Sequence, residues 1–400
     1  MIAAATVDGI MNRPVVRTAL LVAVLLLCAR PAAGQPGSVG RVFPSEKTMV
    51  DNKEFGFEVV QWTTKGNNNH LYFNVESFID AEHCIIVSDR SGGRNLFKLN
   101  LVSGSMTQLT DDGSVHGIWH IPQLRTVWFL SKNSLRALNT STNELRIIHQ
   151  FDTLRPGSFA VTFDGAYLVF AANKHPGFSA NHSTGPYALF RMDLRSKEIL
   201  QISPDLGFII GHVQTNPTDP TKVSYCWQHV YRENGSGTVG NTPNRIWWNA
   251  IDGTDGGPVG TQEFGLHRTH EFWCPDGKSI GYSARYLFGP NKGKQYIGII
   301  SADGKENVMM EANVGAAHSQ MFSDGKHWVS DLYNGSNLVL FTIEGKRIAK
   351  TDVLFRHDSS WGEQSTHPHP HFSPDGKYIL FTTDKTGSSQ VYTVRVNLGK

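Results

Sequence analysis

Short apolar runs recur along this chain from about residue 70 to its end, each broken by a tight polar turn, and the arrangement repeats. The clearest copy covers residues 371–396, HFSPDGKYILFTTDKTGSSQVYTVRV. Residues 272–284 read FWCPDGKSIGYSA, and related copies begin at Met321 and Val161. Asp-Gly between alternating runs predicts an antiparallel hairpin, because glycine supplies the positive φ that a two-residue turn needs. Less regular copies, such as IDAEHCIIVSDRSGGRNLFKLNLVSG at residues 79–104 and TDPTKVSYCWQ at 218–228, fill the gaps. The count is seven units, at spacings of roughly 40 to 55 residues. About four strands per unit, with almost no helical periodicity, predict an all-β, seven-bladed propeller of four-stranded antiparallel blades. Residues 57–62 are expected as the strand that completes the last blade, since an unclosed ring would leave a bare sheet edge. In this reading Asp164, Asp276, Asp324 and Asp375 are turn residues and carry no chemistry.

Composition narrows the picture. With 40% hydrophobic and 18% charged positions in 400 residues, the chain can bury a large core. A net charge of +2, with no basic run or arginine stripe, argues against nucleic-acid binding. Arg13 and Arg17 precede an apolar stretch at residues 19–29, and Ala32, Ala33 and Gly34 follow it. That order predicts a secretory signal over residues 1–34, a single propeller domain over 35–400, and a periplasmic or secreted protein. The stretch is about half of the roughly 20 residues that span a bilayer, so no stable membrane insertion is expected. Translation from Met11 would suit the signal better than from Met1. The mature chain keeps Cys84, Cys226 and Cys274, widely spaced and without a paired motif, so buried thiols are expected and not a disulfide framework.

The candidate chemistry is imidazole. In a propeller the first strand of each blade lines the central channel, and the loops entering those strands converge on one mouth. His70, His212, His270, His318, and His367 with His369 are placed there from five different blades. In the run GEQSTHPHPHF the histidines alternate with proline, so an extended chain presents His367 and His369 on one side. Proline also stiffens that form. Gln364 lies three residues upstream, where its amide oxygen can join them, and His318 comes from the neighbouring blade. Three imidazoles and an amide without thiolate suit manganese, zinc, nickel or iron without choosing among them, and leave open positions for water or an anionic substrate.

Several of these stretches resemble the oligogalacturonate lyases, a family of seven-bladed propellers. They are QSTHPHPHFSPDGKYILFTTD, THEFWCPDGKSIGY, GHVQTNPTDP with NRIWW, HLYF and AAHSQMFSDG, in the family's order. The resemblance implies β-elimination of the 1,4-glycosidic bond in short oligogalacturonides, giving 4,5-unsaturated uronides. It implies manganese, or another divalent metal, on His318, Gln364, His367 and His369. His270 of THEFW would be the Brønsted base and Arg245 of NRIWW an arginine beside it. His70, His212 and Gln214 are placed at the substrate, with ordering of the metal ligands as the other reading. His371 stands where the family pattern calls for a small residue, and the Gly-rich stretch 231–244 has no counterpart in it. Two rivals are a non-enzymatic periplasmic propeller that binds a protein partner, of the TolB kind, and a lyase acting on another uronate oligosaccharide. A prolyl-peptidase type of hydrolase is set aside because no G-x-S-x-G elbow is present. The oligomeric state has no signal in the sequence.

Overall fold

A computed structural model describes residues 38–175, 185–228, 244–333 and 335–398. The leader expected at residues 1–34 lies outside them, as does nearly all of the 231–244 stretch. The described residues build seven antiparallel sheets, as the repeats predict. In the fifth blade Leu266–Trp273, Ser279–Tyr286, Gln295–Ser301 and Asn307–Ala312 pair in sequence order, and the sixth runs likewise from Ala316–Met321 to Arg347–Arg356. No helix among the described residues is long and apolar enough to cross a membrane.

The N-terminal segment closes the ring as expected, and does more. Val59–Gln61 pairs with Gln390–Arg395 to supply the outer strand of blade seven, and Thr48–Val50 adds a fifth strand beyond it. Val42–Phe43 then pairs with Met106–Gln108 on the outside of blade one. One stretch of chain therefore covers the edges of both blades at the seam.

The core consists of wedges between blades. Along Tyr167–Asn173, Leu168, Phe170 and Ala172 pack toward blade two, while Val169 and Ala171 pack toward blade four. Successive strand residues point to opposite faces and both faces are buried, so the inner strands are apolar runs with little polar alternation. Val60, Trp62, Leu380 and Val391 of blade seven meet Phe78, Ile86 and Phe97 of blade one, which completes the circle.

The Asp-Gly turns are longer than the two-residue turn first expected. At residues 274–279 Cys274 N–H bonds the Ser279 carbonyl and Gly277 N–H bonds the Cys274 carbonyl, both at 2.9 Å. Gly277 alone has positive φ, at 67°, and Asp276 caps Lys278 N–H with its side chain. Cys84, Cys226 and Cys274 are buried free thiols, as predicted.

Candidate metal and active site

The histidines do converge: His367 and His369 lie just ahead of the inner strand His371–Phe372, as expected, whereas three others sit within theirs. His212, His270 and His318 sit inside Ile210–Thr215, Leu266–Trp273 and Ala316–Met321, each at a break in register with the next strand. A bulge turns a side chain that regular pleating would send into a blade interface toward the axis. His212, His270 and His369 have φ of 46°, 51° and 45°, a region side-chain-bearing residues seldom occupy and one that clusters at functional sites.

His318, His367 and His369 form one group, with ligand-capable nitrogens all within 4.8 Å of one another. His318 Nδ1–H donates to Asp331 Oδ2 at 2.9 Å, and the His318 backbone N–H donates to Asp331 Oδ1 at 2.7 Å. Asp331 Oδ2 also accepts the His369 N–H at 3.2 Å. One buried carboxylate thus fixes the His318 tautomer and ties both ligand segments together. The bond at Nδ1 leaves the lone pair on Nε2, the arrangement a metal-binding imidazole needs. His318 Nε2, His369 Nε2 and His367 Nδ1 are buried and have no hydrogen-bond partner. Three buried, unsatisfied nitrogens facing one point cost free energy unless something accepts their lone pairs, so the donor set fits a divalent cation. Gln364 stands exposed on the 3-10 turn Gln364–Thr366, three residues ahead of His367.

His270 is half-buried, with its ring 4.1 Å from that of His318. Burial, and then the neighbouring His318, His212 and Arg245, hold it well below the ordinary histidine range, so it is neutral and able to accept a proton. Its Nδ1 has no hydrogen-bond partner. Beside it Glu271 joins two blades: Oε1 accepts His212 Nδ1–H at 2.7 Å, and Oε2 accepts Arg245 Nε–H at 3.2 Å. Burial alone would push the Glu271 carboxyl up, but Arg245 and His212 outweigh it and hold it well below the usual carboxylate range. Arg245 is buried and donates also to the Trp227 carbonyl, so it forms an ion pair between blades four and five and lends positive charge to the site.

For two of the three residues placed at the substrate, the contacts fit the other reading, ordering of the residues around the metal ligands. Because the His369 carbonyl can only accept, His70 Nε2–H donates to it at 2.6 Å, and Nδ1 accepts from Thr382 at 2.7 Å. With both nitrogens taken and 1% exposure, His70 braces the histidine strap. Gln214 donates to the Glu271 carbonyl at 2.8 Å and lines a cavity of about 610 Å3 at the turn end of the inner strands. Phe73 also lines that cavity, and its ring lies against His270, His318 and His369, so it divides the cavity from the imidazoles. His212 keeps one edge near the site but accepts from Tyr72 Oη–H at 3.2 Å. His371 is buried edge-on against His70 and lies outside the triad.

Asp331, Glu271, Tyr72 and Tyr333 escaped the sequence reading. Glu271 follows the candidate base directly, and neighbours on a strand ordinarily face opposite ways; the bulge between Thr269 and Phe272 lets both serve the site.

The family model described as oligogalacturonate lyase matches residues 174–398, more than half of the chain. The chain belongs to the oligogalacturonate lyase family. An oligogalacturonide lyase of Pectobacterium atrosepticum and an oligogalacturonate lyase of Dickeya dadantii are each 25% identical to it, over 85% of this chain and 94% of theirs. An oligogalacturonate lyase solved in complex with manganese superposes with a TM-score of 0.79 at 24% identity, covering 90% of this chain and 98% of its own. That of Vibrio parahaemolyticus gives 0.77 at 23% identity with the same coverage. Both share the propeller.

Proposed function

We propose that this protein cleaves short oligogalacturonides by β-elimination, using a divalent cation, manganese in the first instance, on His318, His367 and His369. The observation that carries the reading is the conjunction of that unsatisfied triad with a neutral, half-buried His270 whose ring stands 4.1 Å from the His318 ring. When bound, the cation supplies positive charge to the uronate carboxylate and so acidifies the neighbouring C5 proton. His270 accepts that proton, and the glycosidic oxygen on C4 departs with the bond electrons, leaving a C4–C5 double bond without water being consumed. Arg245 adds to the positive field and Glu271 keeps it and His212 in place. Gln364 belongs to this proposal as a fourth ligand, presented by the 3-10 turn just ahead of His367.

Digalacturonate incubated with the metal-loaded protein should develop the ultraviolet band of an unsaturated uronide. Chelation should abolish the band and manganese should restore it. A protein-binding propeller of the TolB kind would show none. Export is part of the same proposal, supported by the leader pattern at residues 1–34. Amino-terminal sequencing of secreted protein should begin close to Gln35, and a full-length chain retained in the cytoplasm would contradict it.

A further inference from the structure

We infer that Arg285 forms a carboxylate subsite for the uronate unit next to the one that loses its proton. This rests on the β-elimination reading and extends it to how the oligomer is held. Along Ser279–Tyr286, Ser283 Oγ–H donates to the Ala317 carbonyl of blade six at 2.8 Å. Arg285, two residues further, therefore faces the same neighbour, one strand step toward the imidazole end. Its guanidinium carbon lies 4.5 Å from the centroid of the Tyr333 ring, and that ring lies 5.6 Å from the ring of His270. The cation is thus a single aromatic ring away from the base.

Arg285 differs from Arg245, the other arginine near the base, in what it lacks. Arg245 is paired with Glu271 through Nε. Among the described residues no carboxylate pairs with Arg285, and its buried Nε–H has no acceptor. Burying a charged donor without an acceptor is costly, and a ligand oxygen would relieve it. The stack on Tyr333 holds the planar group in one orientation, as two-point recognition of a carboxylate requires. An oligogalacturonide carries one carboxylate per sugar. The scissile unit's carboxylate belongs at the triad, and the next one falls to Arg285.

The test compares wild-type, Arg285→Gln and Arg285→Lys proteins, each with matched manganese content, on digalacturonate and on digalacturonate methyl-esterified at its non-reducing unit. On digalacturonate, Arg285→Gln should lower kcat/KM about tenfold to a hundredfold, mainly through KM, as loss of a charged hydrogen bond does. The Lys variant should recover part of that loss. Esterification should cost the wild type a similar factor and the Gln variant almost nothing. Equal losses for Arg285→Gln on both substrates, or an unchanged KM, would overturn the assignment and leave Arg285 a packing residue. If the wild type forms no unsaturated product, the lyase reading fails. Calorimetric binding of digalacturonate still decides the subsite, which stands if only the wild type and Lys variant bind and falls if all three bind alike.

Discussion

Replacing Asp331 by Asn keeps the shape of a fully buried side chain and removes one acceptor. In the native site Oδ1 accepts the His318 N–H, while Oδ2 accepts both His318 Nδ1–H and the His369 N–H. An amide nitrogen at the first position would face a backbone donor and leave a buried N–H unsatisfied, which costs about 1–3 kcal/mol. At the second position it would donate to Nδ1 and move the imidazole proton to Nε2, where the metal lone pair should be. Either outcome weakens the triad, and loss of a partner that orients a metal ligand lowers metal affinity roughly 10- to 100-fold. Competition with a chromogenic chelator at fixed free manganese measures this directly. Asp331→Asn should bind manganese at least tenfold more weakly, with part of its activity returning at saturating metal. Metal affinity within twofold of wild type would refute the reasoning.

Phe73→Ala should join the large cavity to the imidazole cluster and cost about 3–5 kcal/mol of stability, read from denaturant melts; a loss under 1 kcal/mol would mean the ring is not the partition described. His70→Gln should loosen the strap at the His369 carbonyl, lowering manganese affinity and costing about 1–3 kcal/mol of stability in denaturant melts, since two buried hydrogen bonds are disturbed. Burial holds His120 and His357 at about 4 against an ordinary 6.5. The folded state then binds fewer protons than the unfolded chain between those values. Stability is full above about 6.5 and falls as pH drops toward 4, by up to about 1.4 kcal/mol per pH unit for each histidine. Urea melts at several pH values in the presence of chelator check the sign, and stability that rises on acidification would contradict it.

The propeller was legible because related cues recur: apolar runs in every blade, Asp-Gly turns in blades three, five, six and seven, and a free N-terminal strand to close the ring. The fifth strands at Val42–Phe43 and Thr48–Val50 were not, since short exposed edge strands carry little hydrophobic pattern. The triad was legible in part because prolines alternate with His367 and His369. Asp331 was hidden as an ordinary strand-end residue, and Glu271 by a bulge that reverses its expected face. The choice between the two readings of His70 was hidden for a related reason. A histidine at the channel looks the same in sequence whether its nitrogens are free or, as here, taken by Thr382 and the His369 carbonyl.

The most direct test of the account is a single-turnover reaction of His270→Ala, loaded with manganese to wild-type content, on digalacturonate, followed in the unsaturated-uronide band. The account predicts no product on the wild-type timescale despite full metal occupancy. A rate within tenfold of wild type would show that the proton leaves C5 to some other group.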